Sequence, residues 1–180
     1  HFYEALARAA LATKATGSDR ASHIVAIHGH QVRIDAWARS CPENFTNRSL
    51  LLAAEIARLE DRQIEALKLY EQAAASARRY GFVQNEGLVN EVAARFCARL
   101  GLKATTDSFF RNARACYVRW GALGKVRHLD AECPGLVDQG DRASGILADP
   151  QPLDMAAVFT MSQAVSGEIL LDRLIERLMI

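Results

Sequence analysis

Proline and glycine are scarce in this chain, with four prolines and eleven glycines among 180 residues. Runs of valine, isoleucine and threonine, which are typical of strands, are nearly absent. Alanine, leucine, arginine and glutamate dominate instead, and these residue types favour helices. Half of the residues are apolar, which at this length is enough for a domain with a buried core. The composition predicts an all-α protein.

The chain also lacks a strong charge of either sign. Its 22 Lys and Arg and 21 Asp and Glu give a formal net charge of +1, which is not the basic footprint of a nucleic-acid binder. No run of about 18 apolar residues is long enough to cross a membrane, and no leader of the secretory kind precedes the first helix. We therefore expect a cytoplasmic segment of a longer protein that binds protein partners, and neither nucleic acid nor a membrane.

Motifs for catalysis and metal binding are missing as well. The four cysteines, Cys41, Cys97, Cys116 and Cys133, are far apart and match no C-x-x-C spacing, so we expect reduced thiols. Cys97 and Cys116 fall at apolar positions of the helical pattern, and we expect both to be buried. The sequence predicts no catalytic residue, no cofactor and no metal ligand.

One cluster of histidines stands out, formed by His23, His28 and His30. His28 shares a helical face with Ile24, Val25 and Val32, and no carboxylate or cysteine near it completes a set of metal ligands. We therefore predict a packed histidine at position 28 and a different orientation for His30.

Residues 121–126, Gly-Ala-Leu-Gly-Lys-Val, approach the spacing of a phosphate loop. The motif needs a glycine where Arg119 stands and a serine or threonine where Val126 stands, and it follows a strand rather than a helix. We interpret Gly121 as the end of a helix.

Apolar residues at helical spacing predict six helices in three hairpins, followed by a short seventh helix around Val126 and Leu129. Pro42 marks the boundary between the second and third helices, and the polar pair Glu60-Asp61 separates the third from the fourth. Glycines end the next three helices: Gly81, Gly101 and Gly121.

An internal repeat with an offset of 40 residues connects two of these hairpins. The recurring residues are Ala53-Ala54 and Ala93-Ala94, Tyr70 and Phe110, Ala73 and Ala113, and Arg79-Tyr80-Gly81 and Arg119-Trp120-Gly121. Small residues let paired helices approach closely, and the aromatic residue fills the space to the next hairpin. The small-large-small pattern resembles the tetratricopeptide repeat (TPR), although the units are longer and Asp61 stands where TPRs favour glycine. The resemblance implies a TPR-like α-α superhelix.

The last part of the chain differs from the repeats. We predict a repeat domain over residues 1–136, a linker over 137–152 that is rich in proline and glycine, and a connector helix over 153–180. The end of that helix is apolar and uncapped, so it is expected to pack on a neighbouring domain or on a second copy in a homodimer. The expected contacts are Leu170, Leu171, Leu174, Ile175 and Leu178.

Several strings resemble one family of large bacterial signalling proteins, which combine a serine/threonine-kinase-like domain, a STAND-type ATPase, helical repeats, a GAF domain and a histidine kinase. The strings are residues 162–176 (SQAVSGEILLDRLIE), 41–45 (CPENF), 66–73 (ALKLYEQA), 81–86 (GFVQNE) and 116–121 (CYVRWG). The resemblance implies that this chain lies between the ATPase and the GAF domain. Nucleotide and kinase sites would then lie elsewhere in the parent protein. Residues 131–136 depart from the family, which has a more aromatic ending there.

A set of basic residues is the candidate partner-binding site: Arg79, Arg111, Arg114 and Arg119. Cations near the last turn of a helix are favoured by its carbonyl groups, which is the simpler explanation. If the four arginines line one groove, they would suit an acidic peptide. The sequence favours a non-catalytic protein-interaction and signal-relay segment, with a structural helical spacer and a small-ligand-binding regulatory domain as the alternatives.

Overall fold

The structure, a computed structural model, describes residues 1–134, which form seven α-helices and no strand. The helices are α1 Phe2–Lys14, α2 Gly17–Ser40, α3 Pro42–Leu59, α4 Gln63–Arg79, α5 Val83–Arg99, α6 Lys103–Trp120 and α7 Leu123–Glu132. The all-α prediction is confirmed for this part of the chain, as are the six paired helices and the short seventh helix.

Consecutive helices are joined by one to three residues and run antiparallel. On α5 and α6, for example, the earlier residue Glu86 pairs with the later residue Arg119, and Glu91 pairs with Tyr117. Because the connections are this short, each helix packs mainly on its neighbours in the chain.

Helices two apart in sequence also touch, since α1 contacts α3 and α3 contacts α5. Phe2 lies beside Arg48, with the guanidinium carbon 5.9 Å from the ring centroid, and Thr13 bonds Arg58 at 3.0 Å. Residue numbers therefore rise together along α1 and α3, and the two helices are parallel. The odd-numbered helices α1, α3 and α5 thus lie side by side.

Four helices end in the same turn. Each ends with a residue of positive φ, and these residues are spaced by 20: Asp61 (62°), Gly81 (76°), Gly101 (73°) and Gly121 (77°). At each turn one N–H bonds the carbonyl five residues earlier, as Arg62 does with Ala57 at 2.8 Å, and the preceding N–H bonds the carbonyl three residues earlier. This is the Schellman pattern of helix ends. The predicted helix ends at the three glycines are confirmed.

The central residues of the 40-residue repeat are buried in the core, whereas its closing Arg-Tyr-Gly and Arg-Trp-Gly segments are exposed. Tyr70 and Phe110 are almost fully covered, and so are the alanines that recur around them, Ala54, Ala73, Ala93, Ala94 and Ala113. Small side chains on the first helix of each hairpin leave room for the aromatic ring of the second.

Three predictions fall outside the described residues: the linker over 137–152, the connector helix over 153–180, and the packing of Leu170, Leu171, Leu174, Ile175 and Leu178. Among residues 1–134, none of the seven helices combines the length and hydropathy that a bilayer-spanning segment needs.

Candidate functional site

A groove with a volume of about 300 Å³ opens between the odd-numbered helices, and we call it the odd-helix groove. Its floor is aliphatic, because Leu6 of α1 and Leu88 and Val92 of α5 lie partly buried against the core. The lining residues are Leu6, Ala10, Thr13, Lys14, Glu55, Arg58, Leu88, Val92, Arg95 and Arg99. They come from three helices and from positions up to 93 residues apart, which is the difference between 6 and 99.

The rim of the odd-helix groove is positively charged. Four of its lining residues are cations (Lys14, Arg58, Arg95 and Arg99), whereas Glu55 is the one carboxylate among them. Glu55 is 4% exposed and is bound on both oxygens by Arg58, at 2.7 and 3.0 Å. Its negative charge therefore neutralises Arg58 inside the fold and does not neutralise the other cations of the rim.

A buried hydrogen-bond network holds Arg58 in place. The Tyr70 hydroxyl of α4 donates to Glu55, and Arg58 donates to Glu55, to the Thr13 hydroxyl and to the Ala9 carbonyl. Burial opposes the charge of Arg58, but the ion pair with Glu55 outweighs it and raises the pKa of the guanidinium. Burial and the neighbouring carboxylate raise the pKa of Tyr70 as well. Arg58 is a fixed cation that joins α1 to α3.

A second network of the same chemistry holds Arg95. Glu91 is 2% exposed and accepts from the Tyr117 hydroxyl, from Arg95 at 2.6 Å and from Lys125 at 2.7 Å. Burial raises the pKa of Glu91, but its bonds to Lys125 and Tyr117 and the charge of Arg95 outweigh that effect, and the pKa is lowered. Arg95 also bonds Glu132 of α7 at 2.9 Å. Its charge, like that of Arg58, is already compensated.

Arg99 is different because no carboxylate among residues 1–134 lies within ion-pairing distance of it. Burial of part of its side chain and the charge of Arg58 lower its pKa, with Glu55 and Tyr70 opposing in part. Lys14 is likewise without an ion-pair partner in the described part of the chain. Both residues are exposed and occupy the last turns of α1 and α5. They are the two cations of the groove that remain available to a ligand.

The four arginines expected from the sequence lie on α4 and α6, and the structure does not bring them into the odd-helix groove. Arg119 bonds Glu86 at 3.0 Å and Arg114 bonds Asp130 at 2.7 Å. The guanidinium of Arg79 lies over the ring of Tyr80, and Arg111 is exposed on α6. Partner binding by these four residues stays a prediction.

The prediction of a packed histidine at position 28 is wrong. The His28 side chain is 50% exposed and its Nε2 lies 3.1 Å from Glu60. Val25 and Val32, on the same face of α2, are also exposed, at 71% and 68%. Of the apolar residues that the sequence placed on this face, Ile24 packs against the core but Val25 and Val32 do not, which is why the helical pattern misled.

His30 points away from His28 and lies beside a carboxylate of α1. Its Nε2 lies 3.4 Å from Glu4, and the potential ligand atoms of His1, Glu4 and His30 all lie within 4.8 Å of one another. Arg33 donates to His1 at 3.2 Å and Arg8 donates to Glu4 at 3.1 Å. His1 and Glu4 are exposed and already bonded to arginines, and we assign no metal to the cluster.

Two further expectations are confirmed. Cys97 and Cys116 are buried, and burial raises the pKa of both thiols. Gly121 ends α6, and Lys125 pairs with Glu91 rather than standing in a loop. All four cysteines are unpaired.

Comparison with known proteins gives one informative similarity. Over 106 residues, the chain is 26% identical to "Hybrid signal transduction histidine kinase G" of Dictyostelium discoideum. The matched region is 59% of this chain and 3% of that kinase, so the chain spans a small part of the protein it matches. No family model matches the chain. No solved structure matches it either.

Proposed function

We propose that this chain is a non-catalytic segment of a multidomain sensor histidine kinase, and that it relays a signal by binding a protein or another domain of the same parent. The observation that carries the proposal is the odd-helix groove, which combines an aliphatic floor with two uncompensated cations. The similarity to a signal transduction histidine kinase supports the kind of parent.

The helices are proposed to be TPR-like repeats. The 40-residue repeat, the identical turns every 20 residues and the buried small and aromatic residues support this assignment. Helical repeat scaffolds bind partners on extended concave surfaces, and the surface proposed here is the one that α1, α3 and α5 share.

The finer architecture rests on the sequence resemblance described above. In this proposal an ATPase precedes the segment, a GAF domain follows it, and the kinase reaction takes place elsewhere in the parent. Phosphoryl transfer needs groups that hold a nucleotide and a metal ion, and the segment contributes recognition instead.

The test is a scaffold exchange in the intact protein that contains this chain. Residues 1–134 are replaced by an unrelated helical scaffold of similar length, and autophosphorylation from ATP is measured with and without cell extract as a source of partners. A relay segment predicts that the wild-type protein responds to the extract and that the exchanged protein does not.

Two outcomes would contradict the proposal. An equal response after the exchange would mean that the segment is a structural spacer, since any helical scaffold would then suffice. Absence of autophosphorylation in the wild-type protein under every condition would rule out a histidine kinase parent.

A further inference from the structure

The odd-helix groove also indicates the chemistry of its partner. We propose that it binds an acidic peptide segment, which places an aliphatic side chain on the floor of the groove and a carboxylate against Arg99 and Lys14. The inference rests on the proposed function, because it names the partner class of a protein-binding segment.

The floor favours an aliphatic side chain. Leu6, Leu88 and Val92 are only partly buried, so they expose apolar surface that a partner can cover. The polar atoms beside them already have partners: the Thr13 hydroxyl donates to the Ala9 carbonyl at 2.9 Å and accepts from Arg58. A polar side chain placed on this floor would lose water without gaining a hydrogen bond.

The rim favours a carboxylate and defines where it binds. Arg58 and Arg95 have their charges neutralised by Glu55 and Glu91, so they add little attraction for a ligand. Arg99 and Lys14 have no such partner among residues 1–134 and occupy the last turns of α5 and α1. Because consecutive helices run antiparallel, α1, α3 and α5 share one direction, and these last turns lie towards the end of the groove to which Arg58 belongs.

Arg99 gains most from an acidic partner. Its pKa is lowered by partial burial and by the charge of Arg58, which means that its surroundings oppose its positive charge. A carboxylate at hydrogen-bond distance would instead stabilise the positive charge of Arg99. Hydrogen bonds between two ionised groups are stronger than those between neutral groups. A basic or neutral peptide would leave the cation uncompensated.

The test uses the 180-residue chain and a fluorescein-labelled decapeptide of alternating glutamate and leucine. Binding is followed by fluorescence anisotropy, together with two altered peptides, one with glutamine for every glutamate and one with serine for every leucine. We expect both altered peptides to bind more weakly than the parent peptide by about fivefold or more. We also expect added salt to lower the affinity of the parent peptide.

Two substitutions that remove one positive charge each give a matched comparison. Arg99→Gln is expected to weaken binding of the parent peptide by about five- to tenfold, the effect of a partly exposed charge pair. Arg39→Gln, at an exposed position in the last turn of α2 and outside the groove, is expected to leave the affinity within about twofold. Lys14→Gln provides a second groove variant if the first is poorly folded by circular dichroism.

Equal weakening by Arg99→Gln and Arg39→Gln would overturn the proposal, because it would indicate attraction to net charge alone. Equal binding of a single-stranded DNA decamer would overturn it too, since the groove would then bind polyanions in general. No binding of the parent peptide at millimolar concentration would overturn the acidic partner as well. If the scaffold exchange still abolished the response to extract, the relay function would stand and only this partner chemistry would fall.

Discussion

Gly87 sets how closely α5 and α6 approach, because a side chain there would collide with the neighbouring helix. A Cβ atom at this position would lie 2.9 Å from Cε1 of Tyr117 and 3.1 Å from Cβ of Cys116. The ring of Tyr117 is fixed by the hydrogen bond from its hydroxyl to buried Glu91. The phenol therefore cannot move aside without breaking the network that holds Arg95.

Gly87→Ala is accordingly expected to lower the free energy of unfolding by about 1–3 kcal/mol, the usual cost of overpacking. Urea unfolding followed by circular dichroism measures it. Gly29→Ala is the matched control, because Gly29 lies within α2 with nothing within 4 Å of its added Cβ. That variant is expected to gain about 0.5–1 kcal/mol from helix propensity, and a gain in both variants would contradict the close contact at Gly87.

Glu91 makes stability depend on pH in a defined direction. Its pKa in the fold lies below the ordinary value of 4.5, so the ionised form stabilises the protein above that value. This contribution is lost as the pH falls from about 4.5 through the lowered pKa. Glu91→Gln should unfold more easily at pH 7, by about 2 kcal/mol, and should lose less stability than wild type as the pH falls.

The measurement is the free energy of unfolding of both proteins in urea between pH 7 and pH 3. Glu65→Gln is the control, since Glu65 is 52% exposed and forms a surface pair with Arg62. Parallel pH curves for wild type and Glu91→Gln would show that the buried carboxylate has no such role.

At the scale of helices, the turns at residues 61, 81, 101 and 121 are interchangeable in geometry but not in sequence. Three of them use glycine, whereas Asp61 adopts the left-handed conformation with φ of 62°. The left-handed conformation is sterically unfavourable for a residue with a Cβ atom, whereas glycine adopts it freely. The Asp61 carboxylate accepts from the Gln63 side chain at 3.1 Å, which offsets part of the penalty at most.

Asp61→Gly is therefore expected to raise the free energy of unfolding by about 0.5–1 kcal/mol. Gly101→Ala should lower it by about 1–2 kcal/mol, because an added Cβ meets no atom there and the cost comes from the backbone alone. Differential scanning calorimetry of the two variants checks both signs. A loss of stability in Asp61→Gly would mean that the bond to Gln63 outweighs the backbone penalty.

Helix ends and core positions were predictable from the sequence because both are local. Gly81, Gly101 and Gly121 end helices by their own conformational freedom, and the residues around Tyr70 and Phe110 follow the 40-residue repeat. The face of α2 was not predictable in the same way. Exposed Val25 and Val32 look apolar in sequence, and only the packing of α1 and α3 decides which side of α2 is covered.

At the scale of the whole molecule, Arg58 links α1 to α3. Its guanidinium joins the Ala9 carbonyl and the Thr13 hydroxyl of α1 to Glu55 of α3, and its side chain is 8% exposed. Since α1 and α3 also form two walls of the groove, the same side chain supports the fold and the candidate site.

Arg58→Met is expected to lower the free energy of unfolding by about 3–5 kcal/mol, because it leaves the Glu55 carboxylate buried without its cation. Arg62→Met removes an arginine that is 44% exposed and paired at the surface, and it should cost less than about 1 kcal/mol. Thermal unfolding of both variants distinguishes the two cases. A small loss in Arg58→Met would show that α1 is held by its apolar contacts alone.

The groove itself was beyond the reach of sequence reasoning, for a physical reason. Leu6, Leu88 and Arg99 meet only when three helices are placed side by side, and nothing local in the sequence marks the helices' shared surface. The clustering of charge in the sequence predicted a binding site that includes Arg114 and Arg119. In the structure both arginines have carboxylate partners. An arginine indicates a binding site when it has no carboxylate partner. Whether Arg99 has such a partner among residues 1–134 is visible only in the structure.

The equal spacing of the four left-handed turns has a consequence for how such a chain can grow. Each turn leaves its helix and enters the next in the same geometry, so the stretch from residue 61 to residue 101 begins and ends alike. An in-frame duplication of that stretch would join to itself as smoothly as the original joins its neighbours. We therefore expect relatives of this protein that differ in length to differ in the number of hairpins. Each added hairpin would extend the groove by one helix.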